Sequence, residues 1–268
     1  MERQIAWYPG HMAKAARRIR DDLRTIDIVV EVVDARIGRS GRNPLLDELA
    51  ARRTRIVALN RHDLADPSTT KRWLNVLAAN GLHAIAVDGR QPRSVAALAS
   101  AIALSSKQRR ARPGYARAMI VGIPNSGKSS IVNSLLGRAS AKTEDRAGVT
   151  RHAQWFRLDR GVELLDTPGV LPPRIASGAA QWKLALCGAV PRERYDPQEV
   201  AAAFHCWLFE RSPRTKVPDL ASFAASRGFK RRGGEPDFHN AAQSYIRAFN
   251  DGAFGRISLE APDDPQAA

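Results

Sequence analysis

Gly122-Ile123-Pro124-Asn125-Ser126-Gly127-Lys128-Ser129 fits the pattern G-x-x-x-x-G-K-[ST] at each fixed position. Its flanks decide how it folds. The apolar run Ala118–Val121 stands immediately before it, and the helix-compatible stretch Ser129–Leu136 follows. A strand that feeds a glycine loop opening a helix is the setting in which this pattern binds phosphate. The glycines let backbone N–H groups curl around phosphate oxygens, and the helix N-terminus adds a favourable dipole. In that setting Lys128 reaches the β- and γ-phosphates and the Ser129 hydroxyl binds magnesium, while Ser126, Gly127 and Ser130 complete the cradle. A plain glycine turn is the competing reading, and the strand and helix on either side weigh against it.

Four more short apolar runs share the character of Ala118–Val121. They are Ile28–Val33 before Asp34, Ile56–Leu59 before Asn60, Ala84–Val87 before Asp88-Gly89, and Val162–Leu165 before Asp166. Continuous apolar runs of this length suit parallel strands buried on both faces. Helix-compatible segments such as Thr69–Leu77 separate them, so the class is α/β with a doubly wound, mostly parallel sheet. Residues 12 to 24 read as an amphipathic helix: Met12, Ala16, Ile19 and Leu23 form its apolar stripe, and Lys14, Arg17, Arg18 and Arg20 lie largely off it. Ser105–Tyr115 reads as a basic connector without apolar periodicity.

After about residue 172 the strand pattern stops. Asp196-Pro197-Gln198-Glu199 resembles a capped helix start, with proline at the first helical position. The stripes Val200, Phe204, Trp207, Leu208 and Ala242, Tyr245, Ile246, Phe249 are helical. These signals place a nucleotide domain over residues 1–175, a smaller all-helical domain over 176–260 and a disordered tail over 261–268.

A phosphate loop alone does not choose between ATP and GTP. Asp166-Thr167-Pro168-Gly169 follows a predicted strand, where an aspartate holds magnesium through water and Gly169 donates its N–H to the γ-phosphate. Between the two motifs, Ala147-Gly148-Val149-Thr150 supplies Thr150, a threonine able to close over the metal. Asn60-Arg61-His62-Asp63 sits at another strand end and matches the base-reading pattern Asn-Lys-x-Asp apart from Arg61. Asp63 can accept from guanine N1 and N2, which adenine does not offer. The aliphatic stem and flat head of Arg61 can cover the base, and Ala86 is a weaker candidate donor to guanine O6. The base-reading motif precedes the phosphate loop by about sixty residues, a circularly permuted order. A doubly wound sheet tolerates this, because the ligand lies outside the carboxyl ends of the strands whatever their connection.

The 268 residues carry a net charge of +15, supplied mostly by arginine. Guanidinium forks match phosphate geometry, so nucleic acid is the partner this charge points to, against a mere coding bias for arginine. No apolar run approaches a membrane span, and the start of the chain lacks the apolar stretch of a signal peptide. Cys187 and Cys206 are too few for a metal cluster and read as small core residues in a reducing compartment, with the cytoplasm the simplest address.

Trp7-Tyr8-Pro9-Gly10-His11-Met12, Asp34-Ala35-Arg36 and Arg42-Asn43-Pro44, followed by the permuted motifs, resemble the ribosome biogenesis GTPase A (YlqF-type) family over nearly the whole chain. The resemblance implies a GTP/GDP-binding hydrolase acting late in assembly of the large ribosomal subunit, monomeric off the ribosome, with a C-terminal helical domain that contacts rRNA. Val170 stands where many GTPases carry a water-orienting glutamine, and the resemblance makes His11 the catalytic helper in its place. Asn125 matches an asparagine that ligates potassium in related potassium-stimulated GTPases; a loop-capping side chain is its alternative. Candidate RNA contacts are Lys14, Arg17 and Arg18 on the first helix, and Lys230, Arg231 and Arg232 in a glycine-flanked segment that reads as a mobile phosphate-gripping loop. Phe229 beside them is either a base-stacking ring or a core residue. The rival readings are a non-enzymatic rRNA scaffold, in which Arg61 has weakened nucleotide use, and a small-subunit assembly GTPase. An ATP-dependent kinase is disfavoured by Asn60 and Asp63.

Overall fold

All seven residues of β1 (Ile28–Asp34) are buried, as a strand covered on both faces requires. The computed structural model describes residues 10–108, 115–137, 153–158, 161–171, 175 and 177–265, without the side chains of 11–13, 15, 16 and 45. β1 pairs in parallel with β2 (Thr54–Asn60) on one side and β4 (Ala116–Gly122) on the other. β3 (His83–Val87) extends the sheet beyond β2, and β6 (Val162–Asp166) extends it beyond β4, both in parallel. The fold is the expected doubly wound α/β class. One strand is unexpected: β5 (Gln154–Leu158) pairs antiparallel with β6, giving the order β3-β2-β1-β4-β6-β5. As an edge strand it alternates exposed Gln154, Trp155 and Arg157 with half-buried positions, so it lacks the continuous apolar run that marks the other five.

From β1 the chain steps to β2 and β3 in one direction, and from β4 it crosses to β6 in the other. The strand order therefore reverses between β1 and β4, and the crevice beyond their carboxyl ends is the ligand position of such sheets. Val32 of β1 lies in register with Gly122 of β4, which sets the start of the phosphate loop beside the end of β1.

α1 (Gly10–Asp22) buries Ile19, and the 3-10 turn after it buries Leu23 with Val29, Met119, Val121 and Leu165. Lys14, Arg17, Arg18 and Arg20 are exposed. α2 (Leu45–Leu49) is short. α3 (Pro67–Ala79) starts two residues before the expected Thr69, because Asp66 accepts from the Thr69 N–H at 2.7 Å and Pro67 needs no partner for its nitrogen. α4 (Pro92–Gln108) overturns the expected connector at its near end: Ser105 and Ser106 are buried in the last turn of a helix. The Ser106 hydroxyl donates to the Ala103 carbonyl at 2.8 Å. Two small polar residues on a buried face gave no apolar signal. Residues 109–114 of that connector lie outside the described residues. α5 (Lys128–Leu135) follows the phosphate loop.

The chain forms two compact units. The described residues of the first lie within 10–171 and 258–265; those of the second lie within 175–257. The second unit is helical: α6 (Gly178–Leu186), α7 (Pro197–Arg211), α8 (Leu220–Ser226) and α9 (Phe238–Asn250). Asp196, Asp219 and Asp237 each cap a helix by accepting a backbone N–H. Its core is aromatic. The Phe204 ring lies 5.1 Å from Phe249, and Tyr245 lies 5.1 Å from Phe223 and 4.7 Å from Phe254. The Tyr245 hydroxyl donates to the Pro218 carbonyl at 2.7 Å, so the buried phenol is satisfied. Cys187 is buried, but Cys206 is exposed, against the expectation that both are core residues. Cys206 lies one residue before Trp207, off the apolar face of α7.

Residues 258–265 return to the first unit, which corrects the expected tail. Of the tail expected to be disordered over 261–268, residues 261–264 are hydrogen-bonded and 266–268 lie outside the described residues: the Arg39 guanidinium donates to the carbonyls of Pro262 and Asp264, both at 2.9 Å. The Ala261 N–H donates to the Asp264 carboxylate at 2.8 Å. Composition suggested disorder, yet the partners are backbone carbonyls, which composition does not reveal.

Candidate nucleotide site

The phosphate loop leaves β4 at Gly122 and tightens into α5 at Gly127, which has φ +92°. A Cβ at Gly127 would lie 2.0 Å from the Asn60 amide nitrogen, and one at Gly122 would lie 2.4 Å from the Val32 carbonyl oxygen. Gly122 is therefore restricted to glycine by close backbone approach, and Gly127 by its left-handed φ and the Asn60 side chain. Asn125 is exposed at the top of the loop with φ +56°, a conformation asparagine tolerates better than most residues. Ser126 is buried, and its hydroxyl has no hydrogen-bond partner among the described residues.

Lys128 is 6% exposed, and its ammonium donates to the Gly122 and Ile123 carbonyls at 3.2 and 2.9 Å. Burial lowers its pKa to about 8, with nearby Asp166 acting in the opposite sense. A cation already enclosed by the loop, facing a buried carboxylate, is poised to gain from an arriving polyphosphate. The loop after β6 lies against β4 and the start of the phosphate loop: the Thr167 hydroxyl donates to the Ile120 carbonyl at 2.8 Å, and the Val170 N–H donates to the Gly122 carbonyl at 3.2 Å. Gly169 makes the approach possible, since a Cβ there would lie 2.7 Å from Pro124 backbone atoms and 3.0 Å from the Lys128 ammonium.

Asn60 ties this phosphate end to the loop after β3. Its amide donates to the Ser126 carbonyl at 2.7 Å, and its oxygen accepts from the Gly89 N–H at 2.8 Å. The Ser134 hydroxyl of α5 adds a bond to the Gly89 carbonyl at 2.6 Å. Arg61 follows with φ +57°, and its guanidinium lies 3.5 Å from the Asp34 carboxylate at the end of β1. Asp34 also holds Arg36 in a two-pronged, fully buried pair at 3.0 and 2.8 Å. Burial pushes the Asp34 carboxyl up, but Arg36 and Arg61 together hold it below the usual carboxylate range. His62 is half-buried and its N–H reaches the Val87 carbonyl. Ala86 lies inside β3, in register with Leu59.

Sequence reasoning missed Arg90. Its guanidinium donates to Asp63 Oδ2 at 2.7 Å, while Asp63 Oδ1 is buried with no hydrogen-bond partner among the described residues. It also reaches Asp88 at 3.3 Å. Its place directly after Asp88-Gly89 was the only available signal, and an isolated arginine in a basic chain does not stand out. The structure thus gathers Asn60, Arg61, Asp63, Asn125, Ser126, Gly127, Lys128, Asp166 and Gly169 at the carboxyl ends of β1, β2, β4 and β6. Ser129 and Ser130 begin α5, half-buried. Thr150 and the His11 side chain lie outside the described residues.

The ribosome biogenesis GTPase A of Priestia megaterium is 36% identical over 283 residues, covering 98% of this chain and 98% of that protein. The chain belongs to the ribosome biogenesis GTPase A family. The namesake from Thermotoga maritima is likewise 36% identical, covering 97% of this chain and 95% of its own length. Among solved structures, the GNP-bound YlqF of T. maritima is 35% identical, covers 94% of this chain and all of its own, and superposes with a TM-score of 0.72. A family described as 50S ribosome-binding GTPase matches residues 117–196, which include the phosphate loop and Asp166-Thr167-Pro168-Gly169. This ribosome biogenesis GTPase is accordingly a guanine-nucleotide-binding GTP hydrolase. No helix among its described residues is long and apolar enough to cross a membrane.

The expected RNA segment also takes a definite form. Lys230, Arg231 and Arg232 are exposed and stand on a tight hairpin. Lys230 bridges to Pro236, the Arg231 N–H donates to the Glu235 carbonyl at 2.8 Å, and the Gly234 N–H returns to Arg231 at 2.9 Å. Phe229 is half-buried and stacks on Phe223 at 6.4 Å, which places it with the core.

Proposed function

We propose that this GTPase is a switch in late assembly of the large ribosomal subunit, cytoplasmic and monomeric off the ribosome, that binds rRNA and leaves after hydrolysis. The observation that carries the reading is the joining of two motif sets at one crevice: Asn60 hydrogen-bonds both the phosphate loop and the loop after β3. A guanine-reading carboxylate and a triphosphate cradle are thereby held in one frame. The match to a 50S ribosome-binding GTPase family and the exposed basic residues of α1 and of the 230–236 hairpin support the large subunit and its RNA as partners.

In this reading Lys128 neutralises the β- and γ-phosphates, and Gly169 offers its N–H to the γ-phosphate. Asp63 reads the guanine N1 and N2 groups, and Arg61 covers the base. Ser129, Asp166 and Thr150 would hold Mg2+, the metal such GTPases generally use. The donors fit that hard cation: hydroxyls and a carboxylate, the latter 6% exposed and adjacent to the phosphate loop. The metal supplies charge neutralisation between the phosphates when bound. Asn125 is the candidate potassium ligand.

Val170 is 3% exposed and packs with Met119, Val121 and Leu165, so its side chain has no route to an attacking water. Orientation of the water must come from another residue, and His11 at the start of α1 is the proposed one.

The test is GTP hydrolysis in potassium buffer with purified large subunits, small subunits serving as control. Strong stimulation by large subunits that is lost in His11→Ala is the expected result. Stimulation by small subunits alone would reassign the protein to the other particle.

A further inference from the structure

The chain leaves the nucleotide unit after the loop that carries Gly169 and returns to it at Ser258. Its first three returning residues land on the two loops that frame the guanine end. The Ser258 hydroxyl accepts from the Asp66 N–H at 3.0 Å, three residues beyond Asp63. The Leu259 N–H donates to the Arg36 carbonyl at 2.8 Å, and Leu259 is fully buried. The Glu260 carboxylate, 4% exposed, accepts from the N–H groups of Arg39 and Ser40, both at 2.9 Å, and from the Ser40 hydroxyl. The Glu260 carbonyl accepts from the Trp73 indole at 3.1 Å. Gly38 in the same turn lies so close to the Trp73 ring that a Cβ would come within 2.5 Å of it.

These bonds fix the turn after β1, and that turn carries Arg36. Arg36 holds Asp34 by two hydrogen bonds, and Asp34 pairs with Arg61 at the base. A buried carboxylate accepting several N–H and O–H bonds is among the stronger neutralising arrangements available to a loop. Replacing it frees two backbone N–H groups that the turn does not satisfy internally.

We propose that Ser258–Glu260 is a positioning strap for the guanine end of the nucleotide site, acting through Arg36, Asp34 and Arg61, and that it sets how fast GDP leaves. The polypeptide then connects the helical unit to both ends of the nucleotide site: to the γ-phosphate end through residues after Gly169, and to the base end through the strap. A load on that unit can therefore promote nucleotide release as well as respond to hydrolysis. This inference rests on the assignment of Arg61 to the base, and the experiment separates the two.

Release of N-methylanthraniloyl-GDP from the full-length protein is followed by stopped flow for Glu260→Gln, Ser258→Ala, Arg61→Ala and the Glu260→Gln/Arg61→Ala double variant. Loss of a buried charge-assisted contact predicts release faster by about tenfold in Glu260→Gln and by about threefold in Ser258→Ala. Asp263→Asn, which removes only an exposed pair with Arg72, leaves the rate unchanged. In the Arg61→Ala background, Glu260→Gln adds less than about twofold, because the route to the base is already cut. A general loss of stability would speed release equally in both backgrounds, and that result overturns the proposal. So do wild-type release rates in Ser258→Ala and folded Glu260→Gln beside a fast Arg61→Ala. A wild-type rate in Arg61→Ala removes the base assignment itself, and the strap with it.

Discussion

The two ends of the nucleotide site are built from different materials. The phosphate end is backbone: Gly122 and Gly127 admit close approaches, Gly169 lets a second loop lie on the first, and Lys128 is the one buried cation at its centre. The base end is side chains recruited from four places. Asn60 and Arg61 come from β2 and its loop, Asp34 and Arg36 from β1 and the turn after it, Arg90 from the loop after β3, and Glu260 from the returning tail. A backbone cradle fails when a single atom is added. A side-chain network loses function in steps, because each member can be removed without a clash.

Gly127→Ala strikes where the two ends meet and carries the largest expected effect. Its Cβ would overlap the Asn60 amide at 2.0 Å, and the left-handed φ alone costs about 1–2 kcal/mol. Expelling Asn60 also opens its bonds to both neighbouring loops. We expect GDP affinity to fall by about a thousandfold or more in titration, equivalent to at least ~4 kcal/mol. Gly137→Ala is the matched control: φ is +62° there, yet nothing lies within 4 Å of the added Cβ. It should lose about 1 kcal/mol of stability and bind GDP normally. Equal loss of binding in both would show that helix strain, not the cradle, limits affinity.

Asn60→Ala comes next. It strips partners from the Ser126 carbonyl and the Gly89 N–H in a buried place, a cost of about 1–3 kcal/mol for each group. The melting temperature should drop by roughly 5–10 °C. GDP affinity should fall by about a hundredfold, within that energy range. A variant that melts early yet binds normally when cooled would limit Asn60 to folding.

The same contrast governs how much could be read from sequence. A backbone cradle needs particular residues at fixed spacing, so Gly122 to Ser129 and its flanking strand announce themselves. The five parallel strands were legible because each carries a short apolar run, even β3 at the other edge of the sheet. β5 was not, because polar Gln154 and Arg157 interrupt it and only Phe156 and Leu158 turn inward. The base end was legible only where a motif names it, at Asn60 and Asp63. Arg90 and Glu260 act through contacts that span 27 and about 220 positions, and no local periodicity records such pairings. The tail misled for a related reason: Pro262, Asp263 and Asp264 look disordered by composition, while their carbonyls and carboxylates are in use.

Lys128 makes the phosphate end sensitive to pH. An unfolded lysine keeps its proton to about 10.5, whereas burial lowers this one to about 8. Between those values the unfolded chain holds a proton that the folded chain has released, so this group's contribution to stability rises with pH across the window. Below about pH 8 its burial cost is present in full. Phosphates restore the charge, so nucleotide binding takes up a proton in the same window, and affinity falls as pH rises, by at most tenfold per unit. Calorimetry of GDP binding at pH 8.5 in two buffers of different ionisation enthalpy should detect that uptake, and at pH 7 it should vanish. Uptake that is absent at both values would mean the lysine is already charged in the empty loop.

The smallest effect is expected at Arg90, and it separates positioning from competition at the base end. Its guanidinium holds Asp63 Oδ2 at 2.7 Å and leaves buried Oδ1 for another donor. Arg90 is 65% exposed, so Arg90→Ala removes no core contact and should melt within about 1 °C of wild type. If the ion pair orients the carboxylate toward guanine, its loss lets Asp63 rotate, and GDP affinity falls by about threefold, in keeping with an exposed pair. The fall should be smaller for IDP, which lacks the 2-amino group that Asp63 would accept from. A competing Arg90 gives the opposite sign, because its removal frees Oδ2 and both nucleotides bind more tightly. High salt weakens the exposed pair in wild type and should move its GDP affinity toward that of the variant. Parallel GDP and IDP titrations at two ionic strengths thus decide whether this arginine orients the Asp63 carboxylate toward the base or shields it.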